Sequence, residues 1–481
     1  MTAVEGGGCS SGWDIHARAG RRAVVIGASI SGLLAARVLA DHYETVTVVD
    51  RDVLRQGLRN RRGVPQGSHS HLMLSRCSRI MGELFPGFLN DLLTDGVPAW
   101  ADGDLSKLDV SFAGRAMVRT GKLRDPAANA QYYPSRPFLE FCVRQRVWAL
   151  PNVTILDGFD AADVISPDGG HRVVGVRLTN RDGRGEMTLT ADLVVDAAGR
   201  ASRAPVFLEK LGYGRPPVDE VVVRTTYASQ VLRIPHGTLD KKVISRAPGP
   251  GQPVGFVLLG NEDNTWMLTL IGIAGHEPPA GRPEILRFLE QIAPADVVDA
   301  VRAAQPVGET THYRVPSSRW RRYDKMRRLP DGFVVVGDAI CSFNPIYGQG
   351  MTVAALDAIV LGECLQRGRR RLPRRFFRAS AKNIAPAWRM AVGADLALPE
   401  VAGSRSALTR SANAYMERVM IAAHTDPAVA EQFLRVIGMI DPPARLLRPA
   451  MMLRIARATS RHDRHRGPVA TQTVQSSARN G

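Results

Sequence analysis

Cysteine is scarce. The chain carries five in 481 residues (Cys9, Cys77, Cys142, Cys341 and Cys364), and no two form a C-x-x-C pair. That scatter argues against a disulfide framework and a cysteine-based metal site, and it fits a reducing, cytoplasmic setting with no metal. No apolar run approaches the roughly 18 residues of a membrane span. Residues 1–22 hold glycine, serine and charge but no apolar core, so they do not read as a secretory signal; residues 1–21 and 466–481 read as loose tails. Acidic residues are also short, 46 against 63 Lys and Arg, which leaves a net charge of +17. Such a balance first suggests nucleic acid. The arginines are spread along the chain, however, with one dense run from Arg367 to Arg378 and a second series near the C-terminus, and no nucleic-acid motif accompanies them. A solvated basic surface without a nucleic-acid partner is the reading that follows.

What is present is enough apolar material, 44% of 481 residues, for two or three structural units. They are organised around Val24–Asp50: a short apolar strand, the turn Gly27-Ala28-Ser29-Ile30-Ser31-Gly32, an Ala/Leu-rich helix and a second strand ending in Asp50. Each part suits a dinucleotide. Gly27 permits the sharp turn. Ser29 replaces the usual second glycine and is small enough for a pyrophosphate to approach the backbone. Gly32 lets the helix lie close to the sheet, and the helix N-terminus offers N–H groups to the phosphates. Asp50, eighteen residues after Gly32, is placed for the adenosine ribose.

Further along, the Gly/Pro-rich segment Arg61–His71 reads as an irregular loop, followed by a helix over about Leu72–Phe85. His69 and His71 would share a face if the loop is extended. No nearby Cys, Asp or Glu supplies a third ligand, so they read as positioning the loop beside a cofactor. Ser135-Arg136-Pro137 opens a helix with Phe138, Phe141, Cys142 and Trp148 at helical spacing. Residues 173–178 and 187–190 read as a hairpin. Asp192–Asp196 reads as a buried parallel strand that ends in the turn Ala197-Ala198-Gly199 at the sheet edge where ligands collect. Residues 220–272 read as a separate antiparallel sheet able to roof a substrate pocket. A last strand delivers Gly337 and Asp338, followed by Phe343-Asn344-Pro345-Ile346-Tyr347-Gly348-Gln349-Gly350-Met351 and a helix. A carboxylate there suits a polyol chain, and a helix N-terminus suits an electron-rich carbonyl or a developing anion. NAD needs no such second site; FAD, with its ribitol chain, does. Beyond Arg378 the chain reads as mainly helical, with Leu447, Met451 and Ile455 on one face and Arg454, Arg457 and Arg461 on another, either a helix on the core or one touching a membrane surface.

Three motifs in this order resemble the FAD-dependent monooxygenases of the para-hydroxybenzoate hydroxylase fold: the Gly27/Ser29/Gly32 turn with Asp50, the turn after Asp196, and Gly337-Asp338 with Pro345, Gly348 and Gly350. The stretches Gly63–His71 and Phe343–Met351 are most similar to squalene-epoxidase-like bacterial epoxidases of polyether biosynthesis, which commonly have His where this chain has Gln349. The resemblance implies an α/β fold: a discontinuous Rossmann-like FAD-binding domain (22–80, 135–215, 325–365), an inserted antiparallel-sheet substrate domain (81–134, 216–324) and a helical C-terminal region (366–465). It assigns Asp50 and Arg51 to the adenosine end, Asp338 to the ribitol, Arg62, Gln66 and Arg136 to the flavin's surroundings, and Pro345–Met351 to a loop covering the ring. Phe343, Asn344, Pro345 and Tyr347 are pocket candidates, with no certain catalytic side chain. The expected activity is insertion of one O2-derived oxygen through a flavin C4a-hydroperoxide, epoxidising a hydrophobic polyene or isoprenoid. The rivals are phenol hydroxylation and reduction or dehydrogenation of an isoprenoid. Trp320-Arg321-Arg322-Tyr323 is not the Trp-x-Trp-x-Ile-Pro signature of flavin-dependent halogenases. No second dinucleotide motif is present, so NAD(P)H is expected to reduce the flavin directly or through a separate reductase. The basic C-terminal region is the expected place for any peripheral membrane contact.

Overall fold

The computed structural model describes residues 19–54, 57–58, 60–167, 170–183 and 185–466. The tail readings for residues 1–18 and 467–481, and Cys9, lie outside the described residues. The fold is α/β, built on a five-stranded sheet in the spatial order Phe333–Val335, Leu193–Asp196, Gly20–Ile26, Tyr43–Asp50, Val153–Asp157, with every pairing parallel. Its strands are rich in Val, Ile and Leu because both faces are covered. Val24, Val25, Val194, Val195, Val334 and Val335 are at most 2% exposed. Register aligns Ile26 with Asp196 and Asp196 with Val335, so three strand ends that are distant in sequence emerge side by side. The first strand begins at Gly20, inside the segment read as a tail.

A second sheet of eight strands joins residues 108–116 to strands between 218 and 342. Its two long members, Val218–Arg233 and Gln305–Arg321, pair antiparallel. Alternation gives this sheet two different faces. Ala228, Leu232, Phe256, Leu258, Leu268 and Leu270 form a core with helices Arg282–Ile292 and Ala295–Ala303. Tyr227, Ser229 and Thr269 point the other way, toward the loop 65–71 and the loop after Phe343.

The C-terminal helices Ala407–Ala423, Pro427–Ile437 and Pro449–Arg466 close over residues 100–133 in a further core that includes Trp100, Tyr133, Val419, Phe433 and Ile455. Among the described residues no helix is long and apolar enough to cross a membrane.

Three local expectations need correction. The helix expected from Leu72 starts at Ser75, because Met73 is held in a bridge to Tyr132. The helix Arg136–Trp148 does not bury the aromatic face. Leu139, Val143 and Val147 point inward together with Arg136, Glu140 and Arg144, while Trp148 is 36% exposed. Arg136 and Glu140 go inside here because they have partners, which a hydrophobic pattern does not register. Leu447 does not share a helix face with Ile455. It ends the short turn Pro443–Leu447 and is 55% exposed, whereas Ile455 is 1% exposed. The expected hairpin is present as Gly175–Asn180 with Glu186–Thr190, and a third strand, Phe159–Ile165, extends it.

Candidate functional site

The turn after the first strand has the backbone its glycines were expected to serve. Gly27 has φ +103°, and a Cβ there would lie 2.7 Å from the Ala197 carbonyl oxygen. A Cβ on Gly32 would lie 1.8 Å from the Gly27 carbonyl oxygen, so no larger residue fits without moving the turn. Asp50 is 7% exposed, and its carboxylate holds the turn: Ala28 N–H donates to Oδ2 at 2.7 Å and Asp52 N–H to Oδ1 at 2.8 Å.

Ser29 Oγ donates to Glu140 Oε1 at 2.5 Å and accepts from Arg136 Nη2 at 2.8 Å. Arg136 Nε also donates to Glu140 Oε1 at 3.0 Å. Arg61 donates to Glu140 Oε2 at 2.8 Å, to the Ala28 carbonyl at 3.1 Å, and lies 3.2 Å from Asp50. Burial alone would raise the Glu140 carboxyl, but Arg136 and Arg61 outweigh it and hold it below its ordinary value. The result is a buried ionic lattice under the dinucleotide turn.

Beside this lattice opens a cavity of about 760 Å³ whose wall includes Arg51, Asp52, Arg61, Arg62, Arg144 and Arg181. Arg62 is exposed at its rim, and Arg181 donates to the Arg51 carbonyl at 3.5 Å on its wall. Arg144 is 4% exposed, and its buried Nε has no partner among the described residues. Burial, then the Arg61 charge, pushes this guanidinium below its ordinary value. A buried cation with an open N–H beside a basic cavity matches the acceptor-rich adenosine diphosphate half of FAD.

The second half of the site lies at the end of strand Phe333–Val335. Gly337 has φ +63° and sits against Ser31 Oγ, and its N–H donates to Asp357 Oδ2 at 2.9 Å. Asp338 has no side-chain hydrogen bond among the described residues. Burial raises its carboxyl, with Arg200 and Arg136 opposing. An unpaired carboxylate at this place is suited to the hydroxyls of a polyol. The helix Gly350–Gln366 begins here, with no side-chain cap from Gln349, so its first N–H groups remain available. Gln349 Oε1 and Thr352 Oγ1 are buried without partners. FAD therefore fits the donor and acceptor set on both sides of Arg136.

The remaining expected residues divide into two groups. Gln66 sits in the turn Pro65–Ser68, where its carbonyl accepts from His69 N–H at 3.1 Å. Gly348 has φ +66° and, with Pro345, Gly350 and Met351, forms the loop into the helix. Four others are occupied by the protein itself. Asp196 accepts from Ala198 N–H and Ser202 Oγ, each at 2.9 Å, and so shapes its turn. Phe343 is 5% exposed and packs near Trp388. Asn344 is 1% exposed, and Tyr347 donates its hydroxyl to Asp395 at 2.7 Å.

His69 is 6% exposed. Its Nδ1 meets Ser229 Oγ at 2.7 Å, Nε2 is buried without a partner, and the ring lies between Tyr227 and Tyr313. Burial, then His312, lowers it to about 4. Burial lowers His71 to about 3. Both imidazoles are thus neutral near pH 7. Among the described residues no group of three or more His, Cys, Asp or Glu is arranged to hold a metal.

Sequence reasoning missed Arg61, Glu140, Arg144, Asp357 and Asp395. Glu140 had one available signal: it follows Arg136 at i, i+4.

The chain is 40% identical over 433 residues to Protein Rv3254 of Mycobacterium tuberculosis, an alignment covering 87% of this chain and 90% of that one. The chain belongs to that protein's family. It is also similar to kynurenine 3-monooxygenase of Salinispora tropica, 28% identical over 72% of each chain, and to squalene epoxidase 1 of Arabidopsis thaliana, 24% identical over 71% of this chain and 59% of that one. No family model matches. Among solved structures, a flavoprotein/dehydrogenase from Cytophaga hutchinsonii superposes with TM-score 0.65 at 13% identity, covering 92% of this chain and all of that one (100%). The flavin-dependent brominase Bmp2 gives 0.63 at 13%, covering 93% and 100%. PqsL of Pseudomonas aeruginosa, a probable FAD-dependent monooxygenase, gives 0.56 at 18%, covering 86% and 99%. These structural likenesses establish the fold. The chain shares that fold with proteins named as a flavoprotein/dehydrogenase, a flavin-dependent brominase and a probable FAD-dependent monooxygenase.

Proposed function

We propose that the chain binds FAD across Arg136 and uses it to insert one oxygen atom from O2 into a hydrophobic substrate, most favourably as an epoxide at an electron-rich alkene of a polyene or isoprenoid. The observation that carries this reading is Asp338. Its carboxylate, without a hydrogen bond among the described residues, follows Gly337, which sits against Ser31 of the Gly27–Gly32 turn, and it feels the Arg136 charge; a flavin dinucleotide needs such a second site and a nicotinamide dinucleotide does not.

FAD, once reduced, supplies the oxygen-activating chemistry. The residues bind, orient and exclude water. The lattice of Arg61, Glu140 and Arg136 holds the dinucleotide turn. The open N–H groups of Gly350 and Met351 would hold an electron-rich part of the cofactor. Tyr227, Tyr313 and the neutral His69 form a largely uncharged group, which would favour an apolar substrate and help keep water out. Epoxidation needs no side-chain acid or base. Electrons come from NAD(P)H, directly or through a separate reductase. Squalene epoxidase 1 and kynurenine 3-monooxygenase, both similar to this chain, bracket the choice of substrate.

A second reading, hydroxylation of a phenol, has one observation in its favour. The Nε2 of a neutral His69, without a partner among the described residues, is able to accept a hydrogen bond from a phenolic hydroxyl and so orient it. Product analysis with labelled O2 over a panel of alkenes and phenols tests both readings. Label in an epoxide supports the first and label in a catechol the second. Products without label would overturn both and point to reduction or dehydrogenation.

A further inference from the structure

The loop at the flavin side of the site is fastened from an unexpected element. Helix Leu372–Asp395 ends at Asp395, which is 0% exposed. Its Oδ1 accepts from Asn344 Nδ2 at 2.9 Å and from the Tyr347 hydroxyl at 2.7 Å, and its Oδ2 accepts from Ser318 Oγ at 3.4 Å. Ser318 Oγ also accepts from Asn344 N–H at 3.0 Å. Asn344 Oδ1 faces the opposite way and accepts from Thr225 Oγ1 at 3.2 Å and Tyr227 Oη at 3.5 Å. The helix end is itself anchored. Leu396, Leu398 and Val401 pack against Tyr227, Ile271 and Val315 of the large sheet.

Three donors converge on one side chain that has no ion-pair partner among the described residues. A buried carboxylate without a cation is costly. It is tolerated where hydrogen-bond donors surround it, and here three donors orient the side chains on either side of Pro345-Ile346. An amide at 395 keeps one oxygen for Asn344 and Tyr347 only by turning its N–H groups toward Ser318 Oγ, which in the wild type donates to the carboxylate and accepts from Asn344 N–H.

We propose that Asp395 is a positioning residue of the active site: its carboxylate sets the Asn344–Tyr347 turn against the cofactor, so that a helix of the C-terminal region fixes where substrate meets the flavin. This rests on the FAD-dependent function proposed above.

The test uses the full-length holoprotein as wild type, Asp395→Asn, Tyr347→Phe and the exchange Asn344→Asp with Asp395→Asn. Each is followed by FAD affinity and by the visible band and fluorescence of bound FAD. Asp395→Asn is expected to keep FAD affinity within severalfold, because the dinucleotide turn and Asp338 are untouched, while its bound-flavin fluorescence rises severalfold and its visible band shifts. Tyr347→Phe removes one donor and is expected to shift the same signals less, which keeps the test intact if Asp395→Asn does not fold. The exchange restores one donor–acceptor pair and is expected to return both signals toward wild type, a rescue that a merely structural role would not produce. Unchanged flavin spectra in Asp395→Asn and Tyr347→Phe, or an exchange variant no closer to wild type than the single change, would overturn the assignment while leaving the FAD function standing. A wild-type chain that takes up no FAD would overturn both.

Discussion

Ser29 donates its hydroxyl to the Glu140 carboxylate at 2.5 Å. The serine that replaces a glycine in the dinucleotide turn is therefore more than a small residue. It is the link between the turn and the buried Arg136–Glu140–Arg61 lattice. Changing Ser29→Gly restores the commoner turn but leaves Glu140 and Arg136 each one partner short. We expect a loss of about 1–2 kcal/mol in stability of the FAD-free chain, read by denaturant unfolding. A variant as stable as wild type would show that the hydroxyl contributes nothing to the lattice.

Gly32→Ala places a methyl group 1.8 Å from the Gly27 carbonyl oxygen. The helix must retreat from the turn, and its N-terminus then no longer reaches the phosphates. FAD affinity should fall by well over about tenfold, a change of at least about 1.4 kcal/mol. Fluorescence titration with FAD measures it, and wild-type affinity would contradict the assignment of the turn.

Arg144→Gln removes the buried cation beside the 760 Å³ cavity but keeps an amide donor. FAD binding should weaken about tenfold, and its dependence on salt should become shallower. Equal affinity and an equal salt slope would place the adenosine diphosphate elsewhere.

Burial raises the Asp357 carboxyl to about 7, with Ser380 and the Gly337 N–H opposing. The unfolded chain titrates near about 4. A raised folded value means that the stability this group contributes is complete below about pH 4 and is lost as pH rises to about 7. Asp395, raised to about 6, has the same sign over a narrower window. Asp357→Asn keeps an acceptor for Gly337 N–H, and its melting temperature should fall less than that of wild type between those limits. Parallel melting curves would show that Asp357 does not titrate there.

The sequence was most informative where backbone geometry alone dictates residue type. The Gly27–Gly32 turn, the strand into Gly337-Asp338 and the parallel sheet are legible because strand runs and obligatory glycines are local signals. The lattice was not legible. Glu140 and Arg144 lie on the inward face of a helix whose aromatic residues suggested another face, and Glu140's partners Arg61 and Ser29 are 79 and 111 residues away from it. Asp395 was invisible for the same reason: an acid at a helix end reads as solvent-facing until the three donors that surround it are known. Asn344 read as a pocket residue as part of the loop Phe343–Met351, and only the fold shows both ends of its amide already engaged.

Two side chains of helix Leu372–Asp395 fasten the flavin half: Ser380 Oγ donates to Asp357 at 2.6 Å, behind Gly337, and Asp395 receives Asn344 and Tyr347. For a chain emerging from the ribosome this sets a schedule. The turn at Gly27 is made first, its neighbouring strand at 193–196 follows, and the edge strand 333–335 closes the sheet much later. Even then the loop at 344–347 lacks its acceptor until residue 395 has been synthesised. Contacts of such long sequence separation form slowly, so the dinucleotide turn must wait through most of translation before the rest of its site exists. Cofactor capture is thereby a late event in the life of the nascent chain, and a shortened chain that ends after the helix Gly350–Gln366 would own every glycine of the flavin motifs yet lack the two residues that hold the last of them in place.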